Sequence, residues 1–590
     1  MFGKIIDMED NYVIIENASH KLEVNYVNYH VIFPENNRGI VAEIVSMNEN
    51  IIKAFLVGEI RNNVFYPGVM RKPNFTTVPR LIYKSEIELL LGSQDVDNVD
   101  SLYIGKSVNY EGFNVSTDVN AFFANHFAII GNTGAGKSCG VARVLQNIFF
   151  RENEKMPINA HVVMFDVYGE YNSALSSINN LPNMGYKYLT TDTSDNPDNI
   201  VNIPAYFLEV DDLALLLNVD NAGELPILEK TLKYVYIFKG QNATMINYKN
   251  GIIAAAILEL LSSGRASTQI RDQIIAILTQ YNTKDINLQT PIVQPGYVRT
   301  IKQCLNIDSQ GKLNAVQYLV DYLEKFQKLD ISTLEVDRNI VYSLDDLYYA
   351  LEFALISEGA LKSEKIYDEY SKLKTRLHQI INSDYKKFFA PGERKISKAE
   401  YIQNIFMSNN GRVQIVNMNL NYIDDRFAKV LTKIYAKMFF DFTTNLRERA
   451  SFPIHIILEE AYRYVQNDND INVLGYNIFD RITKEGRKYG VIMGLITQRP
   501  SELSTTALSQ CSNFIVFRMF HPNDLKIIGS ITSNVNSETV EKIKNLTSGT
   551  AMVFGLAFKL PLIVKLDIPN PMPKSTSLDV KNTWFLVNRK

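Results

Sequence analysis

A glycine-rich turn between a predicted strand and a predicted helix constrains this chain more than any other feature. The apolar run from Phe127 to Ile130 has the length and the branched side chains of a buried strand. It leads into Gly131-Asn-Thr-Gly-Ala-Gly-Lys-Ser138, which matches the phosphate-binding pattern G-x-x-x-x-G-K-[ST]. Apolar side chains then recur at helical spacing, at Val141, Val144, Leu145, Ile148 and Phe149. The sequence therefore predicts a phosphate-binding loop at the N-terminus of a helix.

Each residue type in this loop has a physical task. The three glycines Gly131, Gly134 and Gly136 let the backbone turn sharply and bring its N–H groups close to phosphate oxygens. We expect Lys137 to reach the β- and γ-phosphates of a nucleotide and the Ser138 hydroxyl to ligate Mg²⁺. The predicted nucleotide-binding residues are Asn132, Thr133, Gly134, Ala135, Gly136, Lys137, Ser138 and Cys139.

Length and composition narrow the class of protein. At 590 residues the chain is too long for one hydrophobic core, so we expect about two to four domains. The formal net charge of −3 gives no global basic field, although a ring protein can confine its lysines and arginines to a central channel. The three cysteines lack metal-ligand spacing and indicate a reducing compartment. Since no signal peptide and no uninterrupted run of about eighteen apolar residues is found, we expect a cytoplasmic protein without a membrane span.

The pattern of the chain changes several times and predicts an α/β fold with additions. Residues 1–97 alternate short apolar runs with turn signals, which predicts a small N-terminal β-barrel or sandwich. Residues 98–203 and 398–569 carry continuous apolar runs separated by helix-length segments, which is typical of a parallel sheet covered on both faces. Between them, residues 204–397 have a helical pattern and are interpreted as an α-helical insertion. Residues 570–590 are predicted to be a C-terminal tail whose stretch 583–587 docks on a neighbour.

A pair of acidic residues follows the predicted strand Ile454–Leu458 and suggests hydrolysis. Carboxylates at the C-terminal end of a parallel strand lie where such folds place their ligands. One of the two carboxylates, Glu459 or Glu460, could hold Mg²⁺ through water, and the other could polarise the attacking water. The alternative is a surface pair that opens a helix, where acidic side chains complement the helix dipole.

Polar residues on either side of the next predicted strand complete the constellation. The amide of Gln498 could hydrogen-bond a γ-phosphate or the lytic water without adding charge, or could simply cap the strand. In an oligomer, Arg487 could reach the γ-phosphate of a neighbouring subunit, a contribution of about 10³–10⁵ in turnover in other enzymes. The alternative for Arg487 is a solvated surface charge, and Arg481 and Arg499 are competitors for the same role.

Four motifs taken together resemble the HerA family of the HerA–FtsK ATPases. They occupy residues 126–138, 166–171, 456–462 and 485–501, and their order and approximate spacing agree with that family across most of the chain. The resemblance implies a RecA-like P-loop ATPase core that hydrolyses ATP with Mg²⁺ at the subunit interfaces of a homohexameric ring. It further implies a helicase or translocase that pumps double-stranded DNA through the channel of the ring.

The resemblance also assigns roles and partners. It places Lys137 on phosphate, Ser138 and Glu459 on Mg²⁺, Glu460 as catalytic carboxylate, Arg487 as trans arginine and Gln498 as sensor. Asp166 and Glu170 match a family motif beside the nucleotide. Tyr462 stands where the family pattern has histidine, which puts communication with a partner in doubt more than hydrolysis. The implied partner is a nuclease such as NurA or, in antiviral defence, an effector such as a sirtuin-like NAD hydrolase.

Two other functions compete with the DNA motor. In one, the nucleotide controls the assembly of a scaffold ring with an effector enzyme, and DNA need never enter the channel. In the other, the ATPase moves polypeptide, which requires an aromatic gripping loop that the sequence does not reveal. Candidates for channel-lining residues are Lys239, Lys249 and Arg265.

Overall fold

The computed structural model describes residues 2–18, 24–95, 98–151, 156–327, 340–362, 364–392, 394–531, 537–574 and 580–584. The chain forms two units. The first comprises Met1–Asp192, Lys398–Asp468 and Tyr476–Lys590, and the second comprises Thr193–Ser397 and Asn469–Gly475. No described helix combines the length and the apolar character that crossing a membrane requires.

The first unit begins with an antiparallel sheet and one helix. These elements are β1 (Phe2–Glu9), β2 (Tyr12–Asn17), β3 (His30–Glu35), β4 (Arg38–Met47), β5 (Ile51–Arg61), β6 (Val64–Pro67), β7 (Arg80–Leu81) and α1 (Lys84–Leu91). Along β5 every second side chain from Ile52 to Leu56 is buried, because successive strand residues face opposite sides of the sheet. The strand order is β1-β2-β5-β4-β3-β7, with β6 on β5. Since the outer strands β1 and β7 do not pair in the described residues, the predicted β-barrel is an open half-barrel.

The phosphate-binding motif lies in the next stretch of the first unit. Its elements are β8 (Ser101–Ser107), β9 (Asn114–Asp118), α2 (Val119–Phe123), β10 (Phe127–Ile130), α3 (Lys137–Phe149), β11 (Val162–Asp166), α4 (Asn172–Leu175) and β12 (Tyr186–Thr190). Strands β10 and β11 are buried at every position, as their unbroken apolar sequences predict. Helix α3 begins directly after the loop, with Gly136 as its N-cap.

The second unit is mostly helical, as predicted. Its elements up to residue 397 are α5 (Val210–Leu216), α6 (Leu225–Lys239), α7 (Ala243–Ser262), α8 (Ser267–Gln280), β13 (Pro291–Gln294), β14 (Tyr297–Thr300), α9 (Ile301–Cys304), α10 (Val316–Leu323), α11 (Leu344–Lys362) and α12 (Glu364–Ile381). Aromatic rings of α6, of α11 and of Tyr281, which caps the C-terminus of α8, lie in its core, with Phe238 and Tyr281 each packed on Phe353. At the start of α11, the Ser343 hydroxyl accepts a hydrogen bond from the Asp346 N–H at 3.3 Å, which is a helix N-cap.

The rest of the chain returns to the first unit, apart from one short helix. Its elements are α13 (Lys398–Ile405), β15 (Met407–Ser408), β16 (Gly411–Arg412), β17 (Ile415–Asn419), α14 (Asp425–Thr444), β18 (Ile454–Leu458), α15 (Asp470–Leu474, in the second unit), α16 (Ile478–Glu485), β19 (Val491–Thr497), α17 (Thr505–Ser509), β20 (Asn513–Phe517), α18 (Pro522–Ile531), α19 (Ser537–Lys544), β21 (Thr550–Gly555), β22 (Leu562–Lys565) and α20 (Val580–Trp584). Short 3-10 helices occupy Ser176–Asn180, Pro197–Asn199, Ala205–Phe207, Ala222–Glu224, Glu324–Phe326, Asp384–Phe389, Ala461–Arg463, Gly486–Tyr489 and Pro500–Glu502.

The start of the predicted C-terminal tail packs on the first unit itself. The carbonyl of Pro571 accepts a hydrogen bond from the Gln146 side chain at 2.8 Å, and the carbonyl of Met572 accepts one from the Ser173 hydroxyl at 2.8 Å. In the segment predicted to dock on a neighbour, residues 585–587 lie outside the described residues, so that docking stays a prediction.

An eleven-stranded sheet forms the centre of the first unit. Its strand order is β12-β17-β11-β18-β19-β10-β20-β21-β22-β8-β9. The strands from β12 to β20 are parallel, and those from β21 onward pair antiparallel. Because parallel strands end at the same edge of a sheet, the loops after β10, β11, β18 and β19 meet at what we call the carboxyl edge. The predicted α/β class is confirmed.

Candidate site for nucleotide binding and hydrolysis

The phosphate loop lies at the carboxyl edge and is tied to the strands beside it. Strand β10 lies between β19 and β20, and the N–H of Gly131 donates to the carbonyl of Thr497 at the end of β19. On the other side, the N–H of Asn132 donates to the carbonyl of Arg518 at 3.1 Å. The N–H of Gly549 donates to the carbonyl of Ala135 at 2.9 Å. The loop is therefore shaped by backbone contacts from both neighbouring strands.

Two glycines of the loop adopt the left-handed backbone conformation that other residues avoid. Gly134 has φ +74° and Gly136 has φ +102°. A Cβ atom on Gly136 would also lie 2.8 Å from the backbone nitrogen of Gly549, whereas one on Gly134 would meet nothing within 4 Å. Glycine is needed at both positions for conformation, and at Gly136 also for close approach.

The loop lysine and the second acidic residue form a buried ion pair. Lys137 Nζ lies 2.8 Å from Glu460 Oε1, and the two side chains are 7% and 3% exposed. Each charge would be costly to bury without the other. Glu460 has φ 46° and ψ 48°, a left-handed conformation that is strained for a residue with a side chain. The strand thus ends in an abrupt turn that directs the Glu460 carboxylate to Lys137.

Gln498 and Thr133 extend this pair into a network. The Gln498 side-chain nitrogen donates to Glu460 Oε1 at 2.6 Å, and the Thr133 hydroxyl donates to the Gln498 side-chain oxygen at 2.6 Å. The second carboxylate oxygen of Glu460, Oε2, is buried and has no hydrogen-bond partner among the described residues. An unsatisfied buried acceptor suits a water molecule that is to be activated.

Glu459 points away from Glu460, to the loop after β11. Its Oε2 accepts a hydrogen bond from the Val167 N–H at 3.1 Å. Burial, and then the nearby negative charge of Asp166, raise the pKa of Glu459 well above its ordinary value. The carboxylates of Glu459 and Asp166 and the Ser138 hydroxyl are hard oxygen donors of the kind that Mg²⁺ prefers, so this residue set fits the predicted ion.

Asp166, whose chemistry the sequence left open, organises the loop that follows it. Its Oδ1 accepts from the Glu170 N–H at 3.1 Å, and its Oδ2 accepts from the Tyr171 N–H at 3.0 Å. The Asn417 side chain donates to the same Oδ2 at 3.1 Å. These contacts close a tight loop, in which the fully buried Tyr171 lies beside Ser138.

Arg487 lies at the opposite edge of the sheet from the phosphate loop. It belongs to the 3-10 helix Gly486–Tyr489, which precedes β19, whereas Gln498 follows that strand. A strand of this length spans about 20 Å at roughly 3.3 Å per residue. The Arg487 side chain is exposed, and within the part of the chain that the structure describes it forms no hydrogen bond or ion pair.

The two competing arginines both have partners nearby. Arg481 stacks on Phe440 and Tyr476, with its guanidinium carbon 5.1 and 5.7 Å from the ring centroids. Arg499 lies at the carboxyl edge, where its Nη1 is 2.7 Å from Glu502 Oε1. The structure thus brings Arg499 to the edge that carries the phosphate loop and separates Arg487 and Arg481 from it.

The remaining predicted residues have local contacts. Cys139 follows Ser138 in α3, and burial raises the pKa of its thiol. Tyr462 lies 5.9 Å from the Arg499 guanidinium. Of the proposed channel residues, Lys239 pairs with Asp346 at 3.0 Å, Lys249 lies over the Phe238 ring, and Arg265 bonds to Gln273 at 3.4 Å.

One part of the site was not predicted from the sequence. The segment before β21 supports the phosphate loop, because the Ser548 hydroxyl donates to the carbonyl of Gly134 at 3.2 Å. The Lys565 ammonium in turn donates to the carbonyl of Ser548 at 2.6 Å. This segment is about 410 residues from the loop in sequence and carries no motif, so only the fold brings it there.

These contacts define a P-loop ATPase, an enzyme that binds ATP on the glycine-rich loop and hydrolyses it at the carboxyl edge of the sheet. Comparison with known proteins agrees: residues 102–301 match the family model described as "Helicase HerA, central domain". The matched residues include the phosphate loop and the loop after β11, so this part of the chain is similar to the HerA family.

Curated relatives are similar over most of the chain. The "DNA double-strand break repair helicase HerA" of Pyrococcus furiosus is 22% identical over 527 residues, which cover 89% of this chain and 79% of that protein. The "Probable DNA double-strand break repair helicase HerA" of Methanocaldococcus jannaschii is 22% identical over 93% of this chain and 91% of its own length. Among solved structures, VirB4 of Thermoanaerobacter pseudethanolicus aligns with a TM-score of 0.41 at 12% identity, covering 79% of this chain and 96% of that one.

Proposed function

We propose that this protein is an ATP-driven translocase or helicase that acts on double-stranded DNA as a homohexameric ring. The observation that carries the proposal is the separation of Arg487 from the phosphate loop by the length of β19. An exposed arginine at that edge cannot reach the γ-phosphate of its own subunit. It can reach the nucleotide of a neighbour that packs against it, as a trans arginine does.

The proposed reaction begins when ATP displaces the contact between Lys137 and Glu460. Lys137 then neutralises the β- and γ-phosphates, and the Glu460 carboxylate is released to accept a proton from the attacking water. The Gln498 amide orients that water without adding charge. Mg²⁺, held on the side of Ser138 and Glu459, would supply charge neutralisation at the phosphates. Arg487 of the adjacent copy stabilises the charge that develops on the γ-phosphate.

DNA as the substrate is supported by the relatives, whose names describe them as DNA double-strand break repair helicases. A net charge of −3 is compatible with this, because only the surface facing the DNA must be basic. Lys239 and Lys249 already contact groups of their own unit, so they are weaker candidates for that surface than free cations would be.

A second candidate function is a nucleotide-controlled scaffold ring. Large apolar side chains are exposed on or beside the half-barrel, at Val64 (47%), Tyr66 (52%), Met70 (93%) and Phe75 (58%). Such residues favour contact with another protein. The effector would be a nuclease or a defence enzyme such as a sirtuin-like NAD hydrolase, and ATP would control its assembly without DNA pumping.

ATP turnover in the presence of duplex DNA separates the two functions. For a DNA motor we expect linear duplex DNA to stimulate hydrolysis, and the DNA concentration needed should rise steeply between about 50 and 200 mM salt, because phosphate contacts release counterions. Lys137→Ala is the inactive control. Hydrolysis that is unaffected by DNA at either salt concentration would favour the scaffold. Particles with other than six subunits, viewed by electron microscopy with and without DNA, would contradict the homohexamer.

A further inference from the structure

The hydrogen bond between Thr133 and Gln498 supports an inference about the phosphate loop itself. We propose that Thr133 is a positioning residue, whose hydroxyl fixes the orientation of the Gln498 amide in the hydrolysis site. The inference rests on the proposed role of Gln498 as sensor and deepens it.

Chemistry determines which way the Gln498 amide faces. The Glu460 carboxylate can only accept hydrogen bonds when ionised, and it is 2.6 Å from one end of the amide. That end must therefore be the nitrogen, which leaves the amide oxygen on the opposite side. The oxygen is 2.6 Å from the Thr133 hydroxyl, which can donate to it. A reversed amide would set oxygen against carboxylate on one side.

The Thr133 contact matters most after ATP has bound. In the structure, Glu460 Oε1 accepts hydrogen bonds from both Lys137 and Gln498. Once Lys137 turns to the phosphates, the Gln498 amide keeps only the Thr133 hydroxyl and the carboxylate as partners. The last torsion of a glutamine side chain is broad, so an amide without the hydroxyl samples orientations in which the nitrogen no longer faces the Glu460 carboxylate. Thr133 is exposed at the tip of the phosphate loop, so phosphate that binds to this loop can act on Thr133 directly.

Thr133→Val tests the proposal, since valine keeps the shape of threonine and removes only the hydroxyl. We expect kcat for ATP to fall about 3- to 10-fold, which is the effect of losing one neutral hydrogen bond in the reacting state. The Kd for a fluorescent, non-hydrolysable ATP analogue should stay within 2-fold of wild type. Thr133→Ser should restore kcat. Thr279→Val makes the same chemical change in α8, where the hydroxyl bonds only to its own helix, and should leave kcat unchanged.

A double substitution distinguishes positioning from a separate contribution. If Thr133 acts through Gln498, Thr133→Val combined with Gln498→Ala should be no slower than Gln498→Ala alone. The proposal would be overturned if the kcat losses of the two single variants multiply in the double variant. It would also be overturned if Thr133→Val has an unchanged kcat, or if a loss of nucleotide affinity accounts for the whole effect of Thr133→Val. If the wild-type ring hydrolyses ATP while Gln498→Ala is fully active, the sensor role fails and the inference fails with it. A wild-type protein without ATPase activity would instead overturn the proposed function itself.

Discussion

Glu460→Gln should slow turnover strongly and, at the same time, tighten the binding of ATP. The tightening follows from the buried pair of Lys137 and Glu460, in which 2.8 Å separates the two charged atoms. This pair stabilises the nucleotide-free protein only, because Lys137 must leave it to contact phosphate. Glutamine keeps the shape of the side chain but removes the negative charge that opposes both this movement and the approach of ATP.

The size of the effect can be worked from that contact. A hydrogen bond to a charged group contributes about 1.5–3 kcal/mol, so the nucleotide-free protein should lose about 2 kcal/mol while the ATP-bound protein loses little. The difference appears in binding, where about 1.4 kcal/mol corresponds to a factor of ten, as roughly 30-fold tighter affinity. Hydrolysis should fall by about 10²–10⁴, the contribution of a positioned general base.

Equilibrium titration with a fluorescent ATP analogue in the presence of Mg²⁺ measures the affinity, and phosphate release measures the turnover. Glu229→Gln is the matched control, since Glu229 pairs with Lys233 on the surface of α6 and is 61% exposed. A surface pair of this kind contributes about 1 kcal/mol or less to stability, and neither of its residues belongs to the proposed nucleotide site. Wild-type or weaker affinity in Glu460→Gln would refute the competition between Glu460 and phosphate for Lys137. Turnover within about tenfold of wild type would refute Glu460 as the base.

Three further predictions concern the neighbour, the phosphate loop and pH. Arg487→Ala subunits mixed into wild-type rings should lower ATP turnover more steeply than their fraction in the mixture, and a strictly proportional loss would contradict a trans arginine. Gly136→Ala should lower the thermal unfolding midpoint more than Gly134→Ala does. Both substitutions place alanine in a left-handed conformation, which costs about 1–2 kcal/mol. Only Gly136→Ala also brings a Cβ atom to 2.8 Å from the backbone nitrogen of Gly549. Burial lowers the pKa of His161 from its ordinary value of 6.5 to about 4, so the unfolded chain binds more protons between these values and stability should fall as the pH drops through them. The thermal midpoint of His161→Gln should fall less than that of wild type between pH 6.5 and 4.5. An equal fall in both proteins would contradict a lowered pKa of His161 in the folded state.

The central strands were predictable because burial on both faces leaves a simple pattern. The sequence predicts the strands that become β10 and β18 with their observed ends, since each is a mainly apolar stretch that terminates in a polar motif. The apolar run 489–496 predicts a strand that starts at Tyr489, but β19 begins at Val491, because Gly490 has φ +83° and ends a 3-10 helix there. The run 412–418 predicts one strand, but β17 begins at Ile415, and Arg412 lies in the separate hairpin of β15 and β16.

Contacts between distant segments could not be predicted in the same way. The left-handed conformation of Glu460 and its pairing with Lys137 depend on how β18 ends against the phosphate loop, 323 residues away in sequence. The same holds for the Thr133 and Gln498 contact, and for the role of Asp166 as the acceptor that closes its loop. A motif indicates which residue types meet, whereas the partners of each atom depend on the packing of the whole sheet. The open half-barrel could not be distinguished from a barrel or a sandwich for a related reason, since alternation along strands does not reveal whether the outer strands meet.

The salt link between the loop lysine and the carboxylate after β18 has a consequence for the DNA motor that we propose. A vacant phosphate loop with a bare ammonium would attract any anion, including inorganic phosphate and the backbone of the nucleic acid track. With Glu460 in contact, the ammonium is cancelled at close range and shielded from solvent. We expect only a ligand that displaces that carboxylate and also satisfies the surrounding backbone N–H groups to bind. A subunit that holds no ATP should therefore bind other anions poorly.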